Sequence, residues 1–233
     1  MSNRLISENT QLMYHALNYT EENNLPGLLL LVDFHKAFDS ISWEFIEKVL
    51  EFLNFGTDFR KYVKLFYTDI QSCVCVNGKY SEYFDILRGV RQGDPLSPYL
   101  FLICAEILAQ MLRENQQIKG LKIGDMEAFL SQFADDTAVF MDGTEESFNQ
   151  CIRNLSYFAE MSGLSINFQK SVVVWLGSKR KCGDRFMRDR NFTWDPGGLE
   201  ETKFKYLGIM YSTNTKNIIK LNFESKMKTS NDY

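Results

Sequence analysis

The chain has 233 residues, of which 45% are hydrophobic and 24% charged, and its formal net charge is −4. This composition is typical of a globular domain with a sizeable core, and it excludes a disordered chain. Purely apolar runs such as Leu28 to Val32 are far too short to span a bilayer, and the N-terminus shows no targeting signal. We therefore expect an intracellular protein, nuclear or cytoplasmic, that does not associate with a membrane.

The first third of the sequence predicts helices around one buried strand. A helix is expected from about Glu8 to Glu22. A strand from Leu28 to Asp33 follows, because a short apolar run is bounded there by turn signals. Ser42 is placed to cap a helix with one apolar face, which Gly56 is predicted to end. A short helix over Phe59 to Tyr67 follows.

The middle of the sequence predicts two hairpins separated by a long helix. Cys73 to Ile86 reads as a hairpin, because Asn77-Gly78 suits a type I′ turn. Ser97 is predicted to cap a helix that carries proline at its first position and runs to about Arg113. Strands at 129–133 and 137–141 are separated only by Ala134-Asp135-Asp136, so the two acids are expected at the tip of a hairpin.

The last third predicts one more helix and two strands. Thr144 is expected to cap a helix that Gly163 ends, and strands are expected at Val172 to Leu176 and Phe204 to Tyr211. The sum is an α+β fold in which helices pack against a mainly antiparallel sheet.

Carboxylates follow an apolar strand at two places, Asp33 after the first strand and Asp135 and Asp136 at the hairpin tip. Clustered carboxylates repel one another and lose hydration, so they need compensating positive charge. Mg²⁺, or Mn²⁺ in its place, suits carboxylate oxygens, and a pair of such ions clamps the attacking and leaving oxygens of a phosphoryl displacement. Taken singly, each acid is also compatible with a solvated turn or a helix cap.

Five segments resemble, in order, motifs A to E of the reverse transcriptases of non-LTR (LINE-type) retrotransposons. The ordered set is highly specific, whereas a lone Phe-Ala-Asp-Asp is not. The segments are Asp33 to Ser40 (DFHKAFDS), Arg88 to Phe101 (RGVRQGDPLSPYLF), Phe133 to Asp136 (FADD), Gly163 to Ser171 (GLSINFQKS) and Phe204 to Ile209 (FKYLGI).

The resemblance implies a polymerase palm with incomplete fingers and thumb. Residues 1–211 would hold a remnant of the fingers and the palm, and residues 212–233 would be the start of a thumb or a truncated tail. The implied activity is RNA-directed DNA polymerisation, with an RNA template, a DNA primer and deoxynucleoside triphosphates as partners. Because fingers and thumb would supply many phosphate contacts, we expect weak, salt-sensitive binding and little primer extension by the chain alone.

The resemblance also implies roles for particular residues. Asp33 and Asp135 would be catalytic and hold the metal ions, with Asp136 in support and the backbone carbonyl of Phe34 as a further ligand. The nucleotide-binding residues would be Phe38 beneath the sugar, Gln92 and Gly93 at the nucleotide and template, and Lys170 at the pyrophosphate. The primer grip would be formed by Tyr206, Leu207 and Gly208.

Plainer interpretations remain open beside these. Phe38 also fits a core aromatic, Gly93 an ordinary turn glycine and Lys170 a surface lysine. The isoelectric point of about 5.4 is low for a nucleic-acid enzyme, and the basic stretch from Lys179 to Arg190 fits a solvated loop as well as a phosphate contact. The alternative functions are a catalytically inactive fragment that binds RNA or protein, an RNA-templated RNA polymerase, and a remnant of a decayed element.

Overall fold

The fold is described from a computed structural model over residues 6–181, 186, 191–194 and 201–223. The chain forms two compact units, the first from Met1–Asp33, Ala109–Leu155 and Ile166–Tyr233, the second from Phe34–Leu108 and Ser156–Ser165. In chain order the elements are α1 (Ile6–Glu22), β1 (Gly27–Val32), α2 (Ala37–Ser40), α3 (Trp43–Phe52), α4 (Thr57–Phe66), β2 (Gln71–Ser72), β3 (Cys75–Val76), β4 (Lys79–Tyr80), β5 (Phe84–Asp85), α5 (Ser97–Glu114), β6 (Leu121–Ile123), β7 (Met126–Ala128), β8 (Leu130–Phe133), β9 (Asp136–Met141), α6 (Glu145–Ser162), β10 (Val172–Leu176), β11 (Thr193–Trp194), β12 (Lys203–Tyr206) and β13 (Ile209–Ser212).

The first unit is built on a five-stranded sheet in the order β11-β10-β1-β9-β8. β1 lies at its centre, antiparallel to both β9 and β10, and all six of its residues are buried. Every pairing in this sheet is antiparallel except that of β10 with the short strand β11. The apolar run in β1 is therefore explained by a central strand that is covered on both faces.

The two faces of this sheet carry different layers. Leu29 and Leu31 belong to a buried cluster that also includes Met13 and Leu17 of α1. On the face covered by α6, the ring centroids of Phe148 on α6 and Trp194 on β11 are 5.4 Å apart. Side chains alternate between the two faces along a strand, and both faces are covered, so side chains within the central strands are buried. Residues just beyond the strand ends can instead reach a ligand.

The second unit consists of α2, α3, α4, a long hairpin and the adjoining parts of α5 and α6. Ser42 accepts a hydrogen bond from the N–H of Phe45, so its predicted role as the cap of α3 is confirmed. Phe45 packs edge-on against Phe158 of α6, with ring centroids 5.6 Å apart. The hairpin contains two short ladders, β2 with β5 and β3 with β4, and its turn residues Asn77 and Gly78 have φ of 51° and 76°, as a type I′ turn requires.

The predicted α+β class with a mainly antiparallel sheet is confirmed, but three local expectations are wrong. Gly56 does not end α3. That helix ends at Phe52, Asn54 takes the left-handed conformation at φ 57°, and Gly56 precedes α4 as its cap residue. Ser97 does not cap α5 but is already its first residue.

The third correction concerns the segment Phe204 to Tyr211, which is a hairpin rather than one strand. β12 pairs with β13, and Leu207 and Gly208 form the turn with φ of 49° and 80°. The helix α2 and the hairpin of β6 with β7 were not anticipated. Among the described helices, none is both long and apolar enough to cross a membrane.

Candidate active site

Three carboxylates of the first unit meet at one end of the sheet. Asp33 directly follows β1, Asp136 begins β9, and Asp135 lies in the turn between β8 and β9. The register pairs Val32 with Thr137, so Asp33, the next residue along β1, lies beside Asp136. Phe133 pairs with Asp136, so the turn contains only Ala134, whose φ is 53°, and Asp135. The predicted hairpin of acids is thus one residue tighter than expected.

The backbone of Asp33 is fixed by the segment that resembles motif D. The N–H of Asp33 donates to the Ser171 hydroxyl at 3.1 Å, and the N–H of Asn167 donates to the Asp33 carbonyl at 2.8 Å. The Ser171 hydroxyl in turn donates to the Asn167 carbonyl at 2.8 Å. Asn167 and Ser171 are both buried, so they act as supports that orient Asp33 rather than as ligands.

The pKa of Asp136 is raised, first by partial burial and then by the negative charges of Asp135 and Asp33. The three carboxylates are therefore close enough to repel one another. The side chain of Asp136 nevertheless keeps contact with solvent, so an ion from solution can reach it. A cluster of this kind favours a bound cation, because a cation relieves the repulsion.

A hollow of about 100 Å³ lies beside the carboxylates, and two lysine side chains also line it. Its polar lining consists of Asp33, Asp136, Thr137, Lys170, Lys205 and Tyr206. The predicted Lys170 is therefore placed at the acids. Lys205 was not anticipated, although the alternation of exposed lysines and buried aromatics along β12 could have indicated it. Lysine ammonium groups beside carboxylates suit a substrate that carries phosphates.

The protein supplies only some of the oxygen ligands that a magnesium ion needs. Among the described residues, no three His, Cys, Asp or Glu side chains converge closely enough to hold a metal ion. Mg²⁺, however, is usually held by one or two carboxylates together with water and substrate phosphates rather than by a closed protein cage. Asp33 and Asp136 at an open hollow satisfy that requirement, so the residues fit the ion.

Tyr206 joins the β12–β13 hairpin to the acid hairpin. Its hydroxyl lies 2.9 Å from the Ser131 hydroxyl of β8 and donates to the Ser131 carbonyl at 3.2 Å. Burial raises the pKa of Tyr206 to about 12, so it remains a protonated donor. A Cβ on Gly208 would meet nothing within 4 Å, so the turn of Leu207 and Gly208 is open to a ligand.

The other predicted residues belong to the second unit. Phe34 is buried, which leaves only its backbone for a ligand. The ring of Phe38 stacks on Phe101, with centroids 4.7 Å apart and planes inclined by 15°. Phe38 is thus held by a core aromatic while part of it remains accessible. Gln92 and Gly93 are exposed, and the Gln92 amide donates to a carboxylate oxygen of Asp39 at 3.3 Å.

The two glycines near Gln92 differ in what surrounds them. Gly93 has φ of 88° and nothing within 4 Å of an added Cβ, so the space beside it is open. Gly89 has φ of 90°, and its Cβ would lie 2.7 Å from the Asp39 carbonyl oxygen. Gly89 was not singled out, although glycine in a segment without turn residues signals such an approach.

The predicted basic stretch is only partly described. Arg180 donates to both carboxylate oxygens of Glu21 at 3.3 Å, so this arginine is committed to the protein. Arg185, Arg188 and Arg190 lie outside the described residues, as does the tail beyond residue 223.

The antiparallel sheet, the helices packed on it and the strand-end carboxylates define a polymerase palm, and comparisons with known proteins agree. The chain belongs to the reverse transcriptase (RNA-dependent DNA polymerase) family, whose model matches residues 2–211. The resemblance to the reverse transcriptases of non-LTR retrotransposons is confirmed by relatives from retrotransposable elements.

The chain spans only a small part of the length of the two relatives described next. It is 30% identical over 211 residues to the transposon TX1 uncharacterized 149 kDa protein of Xenopus laevis, covering 90% of this chain and 15% of that protein. It is 27% identical over 210 residues to the Pol polyprotein of the Drosophila melanogaster retrotransposable element R2DM, covering 88% and 20% respectively. Among solved structures, apo telomerase of Candida tropicalis matches with a TM-score of 0.59 at 14% identity, covering 91% of this chain and 39% of that chain, which supports the fold.

Proposed function

We propose that this chain is the RNA-directed DNA polymerase core of a non-LTR retrotransposon protein, extending a DNA primer on an RNA template. The observation that carries the proposal is the hollow at the sheet end, where Asp33 and Asp136 lie together with Lys170 and Lys205. Opposite charges of this kind suit a substrate that enters as a metal–triphosphate complex.

Each residue of the hollow has a part in this reaction. Asp33 and Asp136, with Asp135 on the turn, would hold Mg²⁺, which when bound polarises the phosphoryl oxygens and favours attack by the primer hydroxyl. Lys170 and Lys205 would neutralise charge on the triphosphate and the departing pyrophosphate. The open turn of Leu207 and Gly208 would support the primer end.

Phe38, Gln92 and Gly93 are the residues proposed to select the nucleotide. Phe38 would lie beneath the sugar, where a bulky ring excludes a ribose 2′-hydroxyl, and Gln92 and Gly93 would contact the incoming nucleotide and template. The stacking of Phe38 on Phe101 supports this role, because a ring held from behind resists displacement. We also propose an intracellular location, supported by free thiols at Cys73, Cys75, Cys104 and Cys151.

Metal binding separates this proposal from an inactive binding fragment. Mn²⁺ titrated into the chain and followed by electron paramagnetic resonance should bind weakly, and Asp33→Asn should weaken it further. Asp125→Asn, on the exposed turn of the β6–β7 hairpin, is the matched control and should leave binding unchanged. Equal Mn²⁺ binding by the chain and by Asp33→Asn would favour the inactive fragment.

A further inference from the structure

The segment around Gly89 in the second unit is held by a tryptophan that the sequence motifs leave unassigned. Trp43 is the first residue of α3, and its indole N–H donates to the carbonyl of Gly89 at 2.7 Å. The two residues are 46 positions apart in the chain. Indole has one donor and no acceptor, so this bond uses the whole polar capacity of the side chain.

The peptide unit between Gly89 and Val90 is bonded at both ends. Its carbonyl accepts from Trp43, and its N–H, which belongs to Val90, donates to the Phe38 carbonyl at 2.7 Å. Because a peptide unit is planar, two bonds on opposite sides fix the orientation of the whole plane. One residue earlier, the N–H of Gly89 donates to the Ile41 carbonyl at 2.8 Å.

This peptide unit lies between two residues that the proposed function assigns to the nucleotide. Phe38 supplies the carbonyl that receives the Val90 N–H, and Gln92 follows Val90 by two residues. Any rotation of the Gly89–Val90 peptide therefore changes the backbone at Phe38 and the direction of the chain into Gln92. Apart from this bond, the Trp43 ring packs on the ring of Tyr67, with centroids 5.6 Å apart.

We propose that Trp43 is a positioning residue for nucleotide selection, whose indole N–H fixes the Gly89–Val90 peptide and thereby sets the relative placement of Phe38 and Gln92. The inference rests on the proposed polymerase function. Trp43 itself does not contact the nucleotide; it acts through the backbone.

The chain offers a substitution that removes the hydrogen bond and keeps an aromatic ring at position 43. Trp43 borders a cavity of about 240 Å³ between α3 and α4, whose apolar lining includes Ile46, Leu50 and Val63. Trp43→Phe therefore enlarges an existing cavity and keeps an aromatic ring against Tyr67. Tyr62→Phe is a suitable control, because Tyr62 lies on α4, is 65% exposed and is not part of that lining.

Amide hydrogen exchange gives a readout that does not depend on activity. In Trp43→Phe, the Val90 amide should exchange about five to ten times faster than in the unaltered chain, the factor expected for loss of one supporting hydrogen bond. The amide of Phe140 in the central sheet should be unaffected, and Tyr62→Phe should change neither. Unchanged exchange at Val90 in Trp43→Phe would overturn the inference.

Nucleotide discrimination tests the functional half of the inference. The ratio of kcat/KM for deoxynucleotides over ribonucleotides should fall about tenfold in Trp43→Phe, the order expected for loss of one hydrogen bond, and remain constant in Tyr62→Phe. Faster exchange at Val90 with an unchanged ratio would show a purely structural residue and overturn the positioning role. A wild-type chain that incorporates no nucleotide would instead overturn the proposed function, and the nucleotide role of Trp43 with it.

Discussion

Gly89 and Gly93 form a matched pair that separates backbone strain from steric overlap. Their φ angles are 90° and 88°, so an added Cβ strains both backbones alike. Only at Gly89 does the Cβ also meet the chain, at 2.7, 2.8 and 2.9 Å from the carbonyl oxygen, carbonyl carbon and Cα of Asp39. We therefore expect Gly89→Ala to destabilise the fold far more than Gly93→Ala.

The size of the difference follows from the bonds that must yield. The left-handed backbone costs about 1–2 kcal/mol in either variant. To relieve the overlap, the Gly89 segment must move away from its bonds to Phe38, Ile41 and Trp43. Loss of three hydrogen bonds at about 1 kcal/mol each therefore lowers the free energy of unfolding of Gly89→Ala by about 3 kcal/mol more.

Thermal unfolding followed by circular dichroism measures this difference. For a chain of this size about 3 kcal/mol corresponds to a Tm lower by about 6–12 °C in Gly89→Ala than in Gly93→Ala. Any loss of activity should have a different cause in each variant. In Gly89→Ala it should come from unfolding, whereas Gly93→Ala stays folded and places a methyl group where the nucleotide is expected. If the two variants unfold at the same temperature, the close approach at Gly89 is not a feature of the folded chain.

Three further predictions concern other parts of the protein. Asp136→Asn should stabilise the metal-free chain at pH 7, because partial burial and the charges of Asp135 and Asp33 raise the folded pKa of Asp136. The gain should be absent below the usual carboxyl pKa and grow as pH rises through the folded pKa, and a gain no larger than that of Asp125→Asn would contradict the raised pKa. Phe38→Ala should admit ribonucleotides while the chain stays folded at a lower Tm, because the stacking on Phe101 is lost; an unchanged deoxy-over-ribo kcat/KM ratio would leave Phe38 as a core residue only. Iodoacetamide at pH 8 should modify exposed Cys75 quickly and Cys151, whose pKa burial raises to about 12, only after unfolding, as peptide mass spectrometry would show; equal labelling of both in the folded chain would contradict the burial.

The acid hairpin and the central strand were predictable because their signals are local. A short apolar run ending in Asp33 and an acidic pair between two apolar segments leave few other arrangements. Ser42 before an apolar helical face, and Asn77-Gly78 between two strand-like runs, are equally direct signals. In each case the residues that determine the structure are neighbours in the sequence.

The features that were missed depend on conformations or contacts without a local signal. Leu207 takes φ of 49° in a turn, a conformation that β-propensity and apolar character argue against, so the segment was interpreted as one strand. Asn54 rather than Gly56 takes the left-handed position after α3. Both residue types tolerate that conformation, so the sequence does not distinguish between them. The bond from Trp43 to Gly89 spans 46 residues, and no sequence period reports such a distance.

Incorporation of one labelled deoxynucleotide by the purified chain, on an RNA template annealed to a DNA primer, is the most direct test of the proposed function. We predict slow incorporation that requires Mg²⁺, decreases steeply with added salt, and is abolished by Asp135→Asn but retained by Asp125→Asn. Incorporation by Asp135→Asn at a rate close to that of the unaltered chain would contradict the assignment of the carboxylates. Incorporation that does not depend on a divalent ion would contradict the mechanism itself.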